Sequence, residues 1–359
     1  MIAGRASAAA TAAFAAAQEG FAPDFYGQLG ELTVSSLGLG TYLGQGDPET
    51  DAGYRAALLA ALRGGLNLID TAINYRAQRS ERVIGAVLRE LIEAGELTRE
   101  QVVVASKGGF NPRDFDDPDR GGAALLAGVP KEEVVQGMHC LHPSYIERML
   151  ARSLENLGLQ ALDVYYLHNP ETQLPEVSKP IFYQRLRRAF TALEGARERG
   201  ELSVYGVATW RGLRLEEGDA GALDLQRLVE VARSVAGADH GFRLVQLPVS
   251  LAMPEGHQRP GQRVDEELLS AIAAARSLGL SVVTSGPFAQ AKLLAEPLSA
   301  AAGALGPAEW SPAQRALHFA RSCGDMTLVG MSSPEHVGEN LRVGALPRAS
   351  SDELRAALA

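Results

Sequence analysis

Cysteine is scarce in this chain: Cys140 and Cys323 are the two in 359 residues, and they form no CxxC pair. That excludes a disulfide framework and suits a reducing cytoplasm. Cation excess is also absent. Lys and Arg number 34 against 43 Asp and Glu, for a net charge of -9, and no basic stretch has the footprint of a nucleic-acid-binding protein. An anionic ligand would need local cations or backbone N–H groups, not a global field. No apolar run is long enough to span a bilayer. The first twenty residues are Ala-rich but lack the Leu, Ile or Val core of a signal peptide. Residues 1–24 therefore read as a frayed or helical extension. A GxGxxG turn is missing too. The nearest match, GLGTYLG (38–44), lacks that spacing and leads into no clear helix, which argues against a doubly wound dinucleotide-binding sheet.

What is present is a repeat. Hydrophobic residues make up 46% of the chain, enough for a large core. Strand-length apolar runs recur at 34–41, 66–70, 102–107, 162–168, 203–209, 243–249, 281–286 and 326–331, with helical patterns between them, among them residues 52–65, 80–91, 143–158 and 265–279. Runs that are apolar throughout imply burial on both faces, and strict alternation with helices implies parallel pairing. The simplest closure is a (β/α)8 TIM barrel. One domain is expected over residues 25–347, followed by a tail, 348–359. Residues 25–34 read as a short β-hairpin. Residues 108–143 form a long Pro/Gly-rich insertion, which in a barrel would stand over the C-terminal, active-site face.

Asp70, Lys107 and His168 each end a strand in that series, and Tyr75 follows Asp70 in the next loop. An acid, a phenol, an ammonium and an imidazole delivered to one barrel face suit the reduction of a carbonyl. The tyrosine would give the proton. Lys107 would lower its pKa, Asp70 would hold Lys107 charged, and His168 would orient the carbonyl.

The order IDTAxxY, then a strand-ending lysine, then a strand-ending histidine resembles the catalytic tetrad of the aldo-keto reductase superfamily. The likeness extends over roughly residues 25–345, and SERVIG (80–85) adds to it. It implies a nicotinamide dinucleotide held without a Rossmann fold. NADP is the implied cofactor, with NAD left open, and the implied partner is a small-molecule carbonyl or alcohol. Gly40 and Thr41 match the turn near the nicotinamide, and Gln246 the carboxamide ligand, with Asp70 beside it. GPFAQAKL (286–293), with Gly286, Pro287, Phe288, Gln290 and Lys292, resembles the segment over the pyrophosphate. VGMSSPEHVGENL (329–341), with Gly330, Met331, Ser332, His336 and Asn340, resembles the adenosine-holding segment. Tyr42 and Trp210 are assigned to the substrate wall. Three positions depart from the pattern. Thr209-Trp210 replaces the usual Ser-Asn, Ser285 stands where an aromatic stacks, and Ser332 stands where a cation meets the 2′-phosphate.

His139, Cys140 and His142 cluster in MHCLHP, but no fourth ligand lies at motif spacing and the chemistry needs no metal. The insertion reads better as a wall of the substrate pocket. Two other functions stay open at this level: a nicotinamide-binding regulatory subunit with little turnover, and a biosynthetic enzyme with altered chemistry.

Overall fold

Strand residues alternate between two faces, so every second residue of an inward-facing strand shares one environment. In the computed structural model, which describes residues 1–290, 292–295 and 298–358, this rule builds a closed barrel. The strands are β1 (Leu37–Gly40), β2 (Leu68–Asp70), β3 (Val103–Gly108), β4 (Leu162–His168), β5 (Leu202–Ala208), β6 (Phe242–Pro248), β7 (Ser281–Ser285) and β8 (Met326–Gly330). They pair in parallel in chain order, and β8 closes onto β1. Helices follow each strand: α1 (Pro48–Arg63), α2 (Arg79–Glu93), α3 (Pro143–Leu157), α4 (Lys179–Glu198), α5 (Leu225–Ala236), α6 (Ala271–Ser277), α7 (Pro312–Cys323) and α8 (Pro334–Leu341).

The alternation sorts the core into two layers. Leu68, Val103, Ala105, Val164, Tyr166, Leu244, Val283, Met326 and Leu328 fill the barrel interior. Ile69, Val104, Tyr165, Val245, Val282 and Val329 point outward into the helix layer. Local signals end the helices where they should. Asp47 caps α1 by accepting from Thr50 N at 2.8 Å, and Gly158 closes α3 in the left-handed conformation at φ 65°.

The barrel floor is plugged from the N-terminal side. A hairpin, Tyr26–Leu29 with Leu32–Ser35, sends Leu29 and Val34 into the interior core, where Ala6 joins them. The Ala-rich extension is helical over Ala8–Ala16, with Phe14 buried. Ile2 pairs with Leu159, and Ala6 N donates to the buried Asp163 carboxylate at 2.7 Å. At the other end a helix spans Ser351–Ala357, and Ala359 of the tail lies outside the described residues.

Two boundaries differ from the sequence reading. Val34 and Ser35 belong to the plug, not the first barrel strand. Ser36 N turns to Phe25 O at 2.6 Å, which separates the two pairings. Residues 265–270 are not helical. Glu267–Ser270 pairs with Pro260–Val264 across a left-handed turn at Asp265, and α6 starts only after Ser270, whose side chain caps it. Among the described residues no helix is long and apolar enough to cross a membrane.

Candidate active site

Polar side chains occupy inward positions at or near the C-terminal ends of four strands. In β2, β3, β4 and β6 they are reached through Leu68-Asp70, Ala105-Lys107, Tyr166-His168 and Leu244-Gln246. Registry aligns these ends, with Gly40 opposite Asp70, Lys107 opposite Tyr166, and both His168 and Gln246 opposite Ala208. Polar groups placed on the interior layer can therefore meet only at the C-terminal mouth.

There they converge on Lys107, which is fully buried. Its ammonium forms an ion pair with Asp70 and donates to Thr71 O at 2.8 Å and to the Tyr75 hydroxyl at 3.4 Å. Gln246 Nε2 donates to the other Asp70 oxygen at 2.9 Å. The His168 ring stands edge-on to Tyr75 with centroids 5.8 Å apart, and Tyr42 flanks the other side at 5.0 Å. Every donor on Lys107 has an acceptor, which is what a buried cation requires.

Burial and partners oppose each other here. Burial disfavours the charge on Lys107, but Asp70 and Tyr75 outweigh it, and the lysine pKa is raised. Burial raises Asp70 against the pull of Lys107. Burial also raises Tyr75, and Lys107 only partly offsets it. This corrects the expectation of an acidified phenol. The cost of burying a phenolate exceeds the pull of the Lys107 ammonium, and the Asp70 carboxylate adds to it. His168 is held well below its ordinary value by burial, with Lys107 and then His139 adding to the effect. It is a neutral imidazole, and its Nδ1 is buried without a hydrogen-bond partner among the described residues.

Tyr75 is carried by a tight turn. Tyr75 N donates to Ala72 O at 2.9 Å. The next three residues, none of them glycine, lie in the left-handed region: Arg76 at φ 48°, Ala77 at 55° and Gln78 at 71°. Arg76 is pinned by Gln45 O at 2.9 Å, by an ion pair with Asp51, and by the Tyr54 ring beneath its guanidinium. Gln78 donates to Arg113 O and Arg120 O in the insertion.

A cavity of about 490 Å³ opens above these groups. Asp70, Tyr75 and His168 line it, as do Gly40, Thr41, Tyr42, Thr209, Trp210, Gln246, Ser285, Gly286, Pro287, Phe288, Gln290 and Gly330. Lys107 lies below its floor. Lys292, Met331, Ser332, His336 and Asn340 are not in its wall. Met331 and Asn340 are buried, whereas Lys292, Ser332 and His336 are exposed. Ala291, within the 286–293 segment, lies outside the described residues. The Thr209 hydroxyl is already engaged, donating to Glu171 at 2.6 Å and accepting from Gly212 N at 2.8 Å. The Trp210 ring lies beside Gly286, 3.6 Å from where a Cβ there would stand.

Sequence reasoning missed several participants. Asn74, Phe110 and Asn169 line the cavity. Glu171 gathers the loop after β5, accepting from the N–H groups of Trp210, Arg211 and Gly212 at 3.1, 3.1 and 3.3 Å. His139 lies behind His168. Arg185 can only donate, so it fixes Gln173 Oε1 as acceptor. Gln173 Nε2 then donates to His139 Nδ1, and His139 Nε2 donates to His168 O, both at 2.9 Å. Cys140 is buried, and His142 Nδ1 is occupied by Ser144 at 2.9 Å. Among the described residues no group of three or more His, Cys, Asp or Glu side chains has metal-holding geometry.

The chain is 30% identical over 183 residues to the NADH-specific methylglyoxal reductase of Escherichia coli (strain K12), covering 50% of this chain and 49% of that one. It thus spans about half the length of the curated relative it matches. Among solved structures, a thermostable aldo-keto reductase bound to the inhibitor epalrestat superposes with a TM-score of 0.63 at 18% identity, over 93% of this chain and 98% of that one. An aldo/keto reductase from Klebsiella pneumoniae, in complex with NADP and acetate, gives 0.61 at 21% identity over 91% of each chain. One from Bacillus halodurans, in its holo form, gives 0.62 at 20%, over 92% and 94%. The family model for the Aldo/keto reductase family matches residues 36–358, which contain all eight barrel strands and the C-terminal helices, and the chain belongs to that family.

Proposed function

We propose that this protein is a nicotinamide-dependent oxidoreductase that interconverts an aldehyde or ketone and its alcohol, with Tyr75 as the general acid. The observation that carries this reading is the Lys107 junction. One buried ammonium touches Asp70, Thr71 O and the Tyr75 hydroxyl, while that hydroxyl and His168 face the same cavity. A bound nicotinamide dinucleotide would supply the hydride; the rest falls to the chain. Tyr75, kept a neutral phenol, donates its proton to the carbonyl oxygen. Lys107 stabilises the phenolate left behind, and Asp70 keeps Lys107 in place. The neutral His168 orients the carbonyl.

The cavity suits such a cofactor. The top inward positions of β1 and β8 are Gly40 and Gly330, adjacent in register, so backbone forms the floor where a flat ring would lie. Segment 285–290 provides the opposite wall. Ser332 brings no charge to the adenosine end, so NADP and NAD both remain within reach. The E. coli relative's name makes methylglyoxal the first small carbonyl to assay, and cytoplasmic residence fits this chemistry.

The test is Tyr75→Phe. Turnover of NADH or NADPH with small aldehydes should fall by about 10²–10⁴, while cofactor affinity, read by fluorescence titration, stays nearly intact. Unchanged turnover would overturn the assignment. Tight cofactor binding without turnover in the parent protein would instead favour a regulatory subunit.

A further inference from the structure

Trp210 and Asn169 form a partition. On one side is the cavity over Tyr75, and on the other is a second cavity of about 560 Å³ that shares both residues as wall. This second space lies between the loop after β4 and the loop after β5. We propose that it is a distal substrate subsite for a neutral, hydroxyl-rich group, a glycosyl or polyol moiety, while the substrate carbonyl sits at Tyr75. The proposal rests on the reductase reading above.

Three observations support it. First, the walls are fixed to each other. The Glu171 carboxylate, from the loop after β4, accepts from the Thr209 hydroxyl and from three successive N–H groups of the loop after β5. Such a run of backbone donors is an anion nest, and here the protein's own carboxylate fills it. The groove is therefore a built feature between two locked loops.

Second, its remaining polar side chains are not used by the fold. Among the described residues, the side chains of Asn169, Thr172 and Arg211 make no hydrogen bond or ion pair, whereas nearby Arg214 is committed to Glu255 and Arg263 to Glu217. Asp219 uses one oxygen to accept from Glu216 N at 3.1 Å.

Third, the charge balance selects the ligand class. Arg211 and Asp219 cancel, and Glu171 takes all four of its donors on Oε1, which leaves its Oε2 a buried acceptor without a partner among the described residues. An anionic group would meet Asp219, and an amine would meet Arg211. Neutral hydroxyls satisfy both, donating to the carboxylate and accepting from the guanidinium. The Trp210 ring adds an apolar face for the C–H side of a sugar ring.

The experiment compares two aldehydes with the same reacting head: 4-formylphenyl β-D-glucopyranoside and 4-methoxybenzaldehyde. In the parent protein kcat/KM should favour the glucoside by about tenfold or more. In the Arg211→Ala/Asp219→Ala variant that ratio should fall to about one. Both residues are exposed, so the variant should fold, and thermal unfolding checks this. Equal efficiency in the parent, or an unchanged ratio in the variant, overturns the subsite and leaves the reductase reading standing. Titration calorimetry with phenyl β-D-glucopyranoside, which has no carbonyl, tests the subsite without turnover. Millimolar binding that the double variant loses supports it, and absence of binding in the parent overturns it even if no aldehyde is reduced.

Discussion

Tyr75 carries the largest consequence of any single residue. Its hydroxyl touches the Lys107 ammonium, yet burial keeps its pKa above the ordinary phenol value. The general acid proposed here must be protonated to act, so on that reading a raised pKa extends activity toward alkaline pH. His168 is shifted the other way, to a value well below that of ordinary histidine, and remains neutral through the physiological range. The kcat/KM for carbonyl reduction should thus be flat from about pH 6 to pH 9. A break near the ordinary histidine pKa would show that the imidazole titrates and that its environment has been misread. The turn behind Tyr75 makes a second claim at this scale. Ala77 is buried at φ 55° and ψ 50°, a conformation that costs side-chain-bearing residues about 1–2 kcal/mol and β-branched ones more. Ala77→Val should lower unfolding stability by about 2 kcal/mol or more, whereas Ala77→Gly should not. Calorimetric midpoints of the two variants decide it.

At the scale of elements, the insertion matters because of what it touches. Phe110 packs on both His139 and His168, with centroids 4.9 and 5.3 Å away, and His139 donates to the carbonyl that follows the His168 Cα. Through Gln173 and Arg185 the contact reaches α4, so the insertion and a barrel helix jointly set the end of β4. His139→Ala should lower kcat by about tenfold with little change in cofactor affinity, and His139→Gln, which keeps an N–H donor, should recover part of it. Loss of cofactor binding instead would mean that His139 holds up the whole mouth of the barrel rather than positioning His168. These elements differ in how legible they are in the sequence. Asp70, Lys107 and His168 were readable because each ends an apolar strand in a repeating series, where a barrel brings side chains to one face, whereas Gln246 was reached only through the family resemblance. Residues 265–270 were not, since DEELLS followed by an Ala-rich run satisfies helical spacing. A pairing partner at Pro260–Val264 decides the outcome, and local pattern contains no record of that partner. Glu171 and His139 were illegible for the same reason. Their roles depend on groups 38 and 29 residues away, and no spacing rule connects a loop carboxylate to the nest it will fill.

At the scale of the whole molecule, two buried histidines far from each other contribute to the pH response. His139 lies behind the active site, and His318 lies on α7 against Trp310, with centroids 5.3 Å apart. Both are buried, and burial pushes both down to about 4. The unfolded chain would titrate them near 6.5. A depressed histidine favours the neutral folded form, so its contribution is complete above pH 6.5. It is lost as pH falls toward 4, where the unfolded chain binds the protons first. Each group contributes on the order of 3 kcal/mol at most across that window. Asp70 and Glu81 act in the opposite sense, because burial raises both and the folded state takes their protons first. That offset is the same in any variant that leaves these acids alone, so a comparison of variants isolates the histidines. Urea midpoints of the parent should fall between pH 7 and pH 4.5, and those of a His139→Gln/His318→Gln variant should fall distinctly less. Parallel slopes in the two proteins would assign the acid sensitivity to carboxylates held low such as Asp114, which is engaged by Arg82, and would remove these two histidines from the account.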